Sequence, residues 1–106
     1  AFTFDTLEAD STVHGRAFAP ALGIDEDPVT GAASGAVTGY LRAVEAFDGE
    51  FPEELQFEQG HFLDRPGHVR ARVDGDEVRI GGTGVVSGEM DLRMPADDDG
   101  DGIIEA

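Results

Sequence analysis

The chain has 106 residues, 23 acids against 7 bases for a formal net charge of −16, and no cysteine. That length holds one small domain with a modest core, and the lack of cysteine excludes disulfides, thiolate chemistry and zinc–sulfur sites. No basic patch exists to neutralise a nucleic-acid backbone, and no apolar run approaches the ~18 residues that cross a bilayer.

Phe2-Thr3-Phe4-Asp5 reads as a short strand with Phe on one face. Residues 8–13 are polar and read as a loop. Residues 14–19 form a second strand that Pro20 ends, and residues 20–29 form a long loop. A helix is expected over residues 31–47. Its polar residues Ser34, Thr38, Arg42 and Glu45 fall on one narrow stripe, and apolar or small residues fill the remaining circumference. Such a helix must be covered on most sides, and its glycines and alanines let neighbouring backbone come close, at roughly 1 kcal/mol of propensity per glycine. Asp48-Gly49 is expected to close it, with Gly as the left-handed cap. Residues 54–58 read as a strand with Leu55 and Phe57 on one face. Residues 68–74 alternate Val69, Ala71 and Val73 against His68, Arg70 and Arg72. Asp74-Gly75-Asp76 is a tight hairpin turn, and residues 77–80 pair back with Val78 and Ile80 inward. Gly81-Gly82 suggests a bend, and residues 84–92 a last strand.

The most informative run is Glu26-Asp27-Pro28-Val29-Thr30-Gly31-Ala32-Ala33. Pro28 fixes its own φ and biases Asp27 away from helix. Thr30 is a good N-cap, and the N–H groups of Gly31, Ala32 and Ala33 begin the helix without intrahelical partners. Small side chains leave those groups open to a carboxylate or phosphate. A capped helix after a loop is the plainer reading; a carboxylic acid held beside a bare helix start is the catalytic one.

This run, with Phe18-Ala19-Pro20 and Gly23-Ile24 before it, resembles the signature of the PhzF-like (phenazine biosynthesis isomerase) family, within the diaminopimelate-epimerase-like superfamily. Gln59-Gly60, Arg65-Pro66-Gly67, Val78-Arg79-Ile80-Gly81-Gly82 and Val86-Ser87-Gly88-Glu89-Met90 follow in the family's order. The resemblance covers roughly residues 2–92. It implies an α+β fold, an antiparallel β-sheet curled around one central α-helix, and it matches only the C-terminal of two lobes. It implies isomerase chemistry without a cofactor: proton transfer at carbon on a small carboxylic or amino acid. Asp27 matches a family active-site Asp, Gly31 matches a Gly at the substrate-facing helix start, and the resemblance implies that Thr30, Gly31, Ala32 and Ala33 bind the substrate, its carboxylate resting on the N–H groups of the last three. Ala32 departs from the family's usual Ser, which removes a hydroxyl from the site. The family's proton-shuttling Glu lies on the other lobe, so this chain alone is expected to be inactive. The alternative is a lobe that binds a small acid without catalysis, or that self-associates through the face meeting the other lobe.

The expected organisation is a lobe over residues 1–95 and an acidic, disordered tail over 96–106. The tail places Asp97, Asp99 and Asp101 like the first ligands of a calcium loop, but the bidentate acid of position 12 would fall beyond residue 106. His14, His61 and His68 lack metal-ligand spacing, so no metal is expected. His14 and His68 are expected on exposed strand faces, and His61 near the mouth of the site. Arg16 is expected to pair with Asp5 or an acid of the motif loop. Expected partners are a small carboxylate substrate, the missing N-terminal lobe and a second copy of the chain, with no nucleic acid or membrane. No signal-peptide pattern opens the chain, which points to the cytoplasm, and Ala1-Phe2-Thr3-Phe4 without an initiator Met points to part of a longer protein. The acidic surface repels itself in dilute buffer, and at molar salt the screening length falls to about 3 Å. The composition therefore points to a salt-accumulating cell, a halophilic archaeon.

Overall fold

The computed structural model describes residues 1–96. The calcium-like run of residues 97–105 lies outside them. Among the described residues the order is β1 (Phe2–Thr3), β2 (Val13–Gly15), β3 (Ala17–Ala19), β4 (Ile24–Asp27), α1 (Gly31–Ala43), β5 (Leu55–Gln59), β6 (Gly67–Asp74) and β7 (Glu77–Gly81). Five strands form one sheet in the order β1-β2-β5-β6-β7, and β3 and β4 form a separate pair. Neighbouring strands are antiparallel except β2 and β5, which run parallel. Two parallel strands need a long crossover, and here it carries β3, β4 and α1. The α+β class implied by the resemblance is the class observed, one helix against a five-stranded sheet.

The period-2 pattern of β5 and β6 builds the core. Leu55 stands opposite Ala71, and Phe57 opposite Val69. With Val13 and Leu41 these residues form one buried cluster, against which Val37, Phe47 and Phe51 pack. The single strand expected over residues 14–19 is instead two: β2 joins the main sheet, and beyond Arg16 the chain leaves it as β3 to pair with β4. The expected loop of residues 20–29 contains a 3-10 turn at Pro20–Leu22, a left-handed Gly23 and β4.

The helix differs from expectation in both its faces and its end. Ser34 and Thr38, read as part of an outer polar stripe, are buried at 4% and 0% exposure. Their hydroxyls donate to the carbonyls of Thr30 and Ser34 one turn back, each at 2.8 Å, and so bonded they pack as core residues. The face on the sheet is lined by Gly31, Gly35 and Gly39. A methyl group on Gly31 would lie 3.1 Å from Ile80 Cδ1, and one on Gly39 3.8 Å from Val78 Cγ2. Ala32, Ala33, Ala36, Tyr40 and Ala43 are exposed on the other side. The helix ends at Ala43, not Phe47. Ala46 N–H bonds Leu41 O, Glu45 N–H bonds Arg42 O, and Glu45 adopts φ +52°. This is a Schellman ending with Glu at the position glycine usually takes. Gly49 is left-handed as expected, at φ +84°, but well past the helix.

The strand expected over residues 84–92 is not formed. An extended segment becomes a strand only by pairing its backbone, and this one pairs with none of the described residues. Val85, Val86, Met90 and Leu92 lie exposed along it.

Candidate active site at the start of the helix

The site forms where β4 runs into α1. Asp27 ends β4, and Thr30 takes the extended backbone of an N-cap, φ −131° and ψ 101°. The Thr30 side chain nevertheless makes no cap hydrogen bond. Its hydroxyl donates to Asp27 Oδ2 at 2.6 Å, a stronger acceptor because it is charged. Two consequences follow. The Asp27 carboxylate is fixed at the entry to the helix, and the N–H groups of Gly31, Ala32 and Ala33 keep no acceptor among the described residues. The first helical bond runs from Ser34 N–H to Thr30 O at 3.2 Å. Unpaired amides and the positive end of the helix dipole together favour an anion.

Gln59 also belongs to this site. Its side-chain amide donates to Asp27 O at 2.8 Å and to Thr30 Oγ1 at 3.0 Å. Donating to both residues ties the end of β5 to the motif loop. Its strand position carries the signal: Gln59 shares a face with Leu55 and Phe57, which the alternation places toward the helix. Gly60 follows with φ +89°, and a side chain there would run into the carbonyl oxygen of Arg65 and lie 2.7 Å from that of Pro28. The turn after β5 is therefore pressed against the motif loop. A cleft of about 200 Å³ lies beside the helix start, lined by Gly15, Arg16, Phe18, Ala33, Ser34 and Gln59 among others. An opening of about 310 Å³ between Arg42, Glu45 and Phe51 lies at the other end of α1 and holds none of these residues.

Arg16 pairs with an acid of the motif loop, as expected, and the acid is Glu26. The guanidinium donates through Nε to Oε2 at 3.0 Å and through Nη2 to Oε1 at 2.8 Å. The hydrogen bonds raise the Arg16 pKa and lower that of Glu26, against the opposing effect of burial on each. The same guanidinium lies 5.1 Å from the Phe18 ring centre and 4.6 Å from that of Phe62.

The histidines depart from expectation. His14 is buried, at 6% exposure, because residues 7 and 8 fold over β2 and β5. Glu58 is their anchor. Its carboxylate accepts the N–H groups of Leu7 and Glu8, each at 2.9 Å, and lies 2.7 Å from His14 Nδ1. Burial alone would raise the Glu58 carboxyl, yet the hydrogen bonds from His14, Glu8, Leu7 and Ser11 hold it down at about 2. His61 does not reach the mouth of the Asp27 site. Its Nε2 lies 2.7 Å from Glu8 Oε2, and its ring centre lies 5.7 Å from that of His14. His68 is exposed as expected, with Nε2 2.8 Å from the same Glu8 oxygen. Hydrogen bonds from His68 and then His61 lower the Glu8 carboxyl. Although the sequence spacing of the histidines gives no ligand pattern, the fold brings ligating atoms of His14, Glu58 and His61 within 4.8 Å of one another.

Comparison with known proteins gives this geometry its context. The family model of phenazine biosynthesis-like proteins matches residues 1–90. An uncharacterized isomerase of Clostridium acetobutylicum is 38% identical over 100 residues, covering 88% of this chain and 33% of that protein. YfhB of Bacillus subtilis, an uncharacterized isomerase, is 36% identical over 86 residues, or 78% of this chain and 28% of its own length. YddE of Escherichia coli, another, is 35% identical over 92 residues, or 80% and 31%. The chain spans about a third of the length of these curated relatives. No helix among the described residues is long and apolar enough to cross a membrane. This chain belongs to the phenazine biosynthesis-like protein family.

Proposed function

We propose that this chain is the C-terminal half of an isomerase that moves a proton at carbon on a small carboxylic or amino acid, without a cofactor. The observation that carries the proposal is the helix start: three N–H groups without acceptors among the described residues, beside a carboxylate fixed by Thr30. In this reading the substrate carboxylate rests on the amides of Gly31, Ala32 and Ala33. Asp27 orients the substrate's amino or hydroxyl group, or assists the proton. A Glu from the other lobe moves it. The relatives named isomerases support the reaction class. Acid–base work of this kind needs a closed, dry cleft, and one lobe leaves the site open. Full-length protein in D2O should therefore exchange the α-hydrogen of a small acid from a substrate panel, and the isolated lobe should not. Asp27→Asn in the full-length protein should slow exchange by about 10²–10⁴-fold. Exchange by the lobe alone, or undiminished exchange in D27N, would sink the proposal.

A second reading is a lobe that binds a small acid without catalysis or associates with a copy of itself. Ala32 favours the first form, since its methyl group replaces a hydroxyl. An exposed aromatic run favours the second: Tyr40 packs edge-on to Phe2, Phe2 to Phe4, and Phe4 to Phe47, with Phe4 and Tyr40 at least half exposed. Ala32→Ser in the full-length protein separates the cases. Gained turnover marks a modified enzyme, and no change a non-catalytic lobe. We further infer a salt-rich cellular interior from the net charge of −16. Unfolding midpoints should then rise from 0.1 M to molar salt as the screening length shortens to about 3 Å, and equal midpoints would overturn that inference.

A further inference from the structure

We propose that His14 and His61 form a binding site for a divalent transition metal on the sheet face opposite α1, with His14 Nε2 and His61 Nδ1 as ligands. These two nitrogens are the buried side-chain polar atoms that find no hydrogen-bond partner among the described residues. Burying such an atom unpaired is unfavourable, and here two of them occur in adjacent rings. The remaining ring nitrogens explain the arrangement. His14 Nδ1 lies 2.7 Å from Glu58 Oε2, and His61 Nε2 lies 2.7 Å from Glu8 Oε2. An ionised carboxylate only accepts, so each ring donates to its carboxylate, and in its neutral form presents a lone pair at its second nitrogen. That is the tautomer a metal requires, and a carboxylate behind each histidine is the usual outer support of a metal site.

The distances fit. Two imidazoles at about 2.0–2.1 Å from a tetrahedral ion place their ring centres roughly 5 Å apart, and these stand at 5.7 Å. Glu58 remains an orienting carboxylate, because its oxygens already accept Leu7 and Glu8 N–H as well as His14. Water completes the coordination. Neutral imidazole pairs select zinc, cobalt, nickel or copper over magnesium and calcium, which require oxygen donors. Phe62 covers one side, its ring edge-on to His14 at 5.6 Å. The ion would join β2 to the turn that follows Gln59, and so stiffen the residue that holds the Asp27 carbonyl. It takes no part in the proton transfer proposed above, and does not depend on it.

The probe is Co²⁺, then Zn²⁺ in competition, on the full-length protein with excess Mg²⁺ and Ca²⁺ to occupy the acidic surface. Stoichiometric binding should produce the visible d–d bands of imidazole-ligated cobalt, which Zn²⁺ removes. Glu8→Gln should weaken binding roughly 10–100-fold, and His61→Ala, which removes a ligand, should weaken it by more. His68→Ala, which leaves the Glu8–His61 contact in place, should not change it. In the unaltered protein, Zn²⁺ should shift the ¹⁵N resonances of His14 Nε2 and His61 Nδ1, a readout that does not depend on how variants fold. Unmoved ring resonances, an absence of d–d bands, or equal affinity in H61A would overturn the proposal.

Discussion

Two regions of this molecule invert the usual arrangement of a small domain in opposite senses. Around the end of β5, polar groups are buried: Glu58 at 0% exposure, Gln59 at 5% and His14 at 6%. Along the outer side of α1 and residues 82–96, large apolar groups are exposed, with Val85 at 92% and Met94 at 85%. Buried polar atoms are tolerable when bonded, and nearly every one at β5 is. Exposed apolar surface on this scale marks a face that another surface covers. The first region, His14 Nε2 apart, finds its hydrogen-bond partners within the described residues. The second is exposed in a chain that spans about a third of its relatives' length.

Removing the anchor of the first region should have the largest effect. Glu58→Ala strips the acceptor from Leu7 N–H, Glu8 N–H and His14, and should cost about 3–5 kcal/mol in urea unfolding. A loss below about 1 kcal/mol would show that the buried network is not what holds residues 7 and 8 down. Gly60→Ala comes next, at about 3 kcal/mol. It forces a side chain into φ +89° and against the carbonyls of Arg65 and Pro28. Because that turn presses on the motif loop, G60A should also loosen the helix start, visible as faster amide exchange at Ser34, whose N–H bonds Thr30 O.

Acid gives a graded version of the first test. The Glu58 carboxyl is lowered from 4.5 to about 2 in the fold, so between those values the unfolded chain binds more protons. Its stabilising contribution is complete above about pH 4.5 and disappears as pH falls through about 2. Glu58→Gln should flatten the decline in stability across that window, and an unchanged slope would assign it to other acids.

The smallest effects belong to the second region and the end of the helix. Glu45→Gly should stabilise by about 0.5–1 kcal/mol, because glycine removes the left-handed strain at φ +52° while adding unfolded-chain entropy. Val86→Ser should fall within about 0.5 kcal/mol in this chain. A large loss there would mean the segment is packed in solution, and would erase the contrast between the regions.

Much of this was legible in the sequence because it is written at short range. Alternation placed Leu55, Phe57, Val69 and Ala71 on one face, Asp74-Gly75-Asp76 made the hairpin, and the Asp-Pro-x-Thr-Gly run placed Asp27 and Thr30 at the helix start. Periodicity failed at Ser34 and Thr38, where hydroxyls satisfied by the helix's own carbonyls pass for apolar groups. It failed again at the helix end, where a glutamate rather than a glycine turns left-handed.

The sequence by itself determined the family, the α+β class, the apolar faces of β5 and β6, and the start of the helix after Asp27 and Thr30. Each depends on residues within a turn or a strand of one another, or on motifs in fixed order. Only the tertiary structure decided that Thr30 bonds Asp27 instead of capping its helix, that Gln59 supports both, and that His14, Glu58 and His61 converge. His14 and Glu58 are 44 residues apart, and it is the parallel register of β2 on β5 that makes them neighbours. No local pattern carries that register, because it arises from packing the whole crossover onto the sheet.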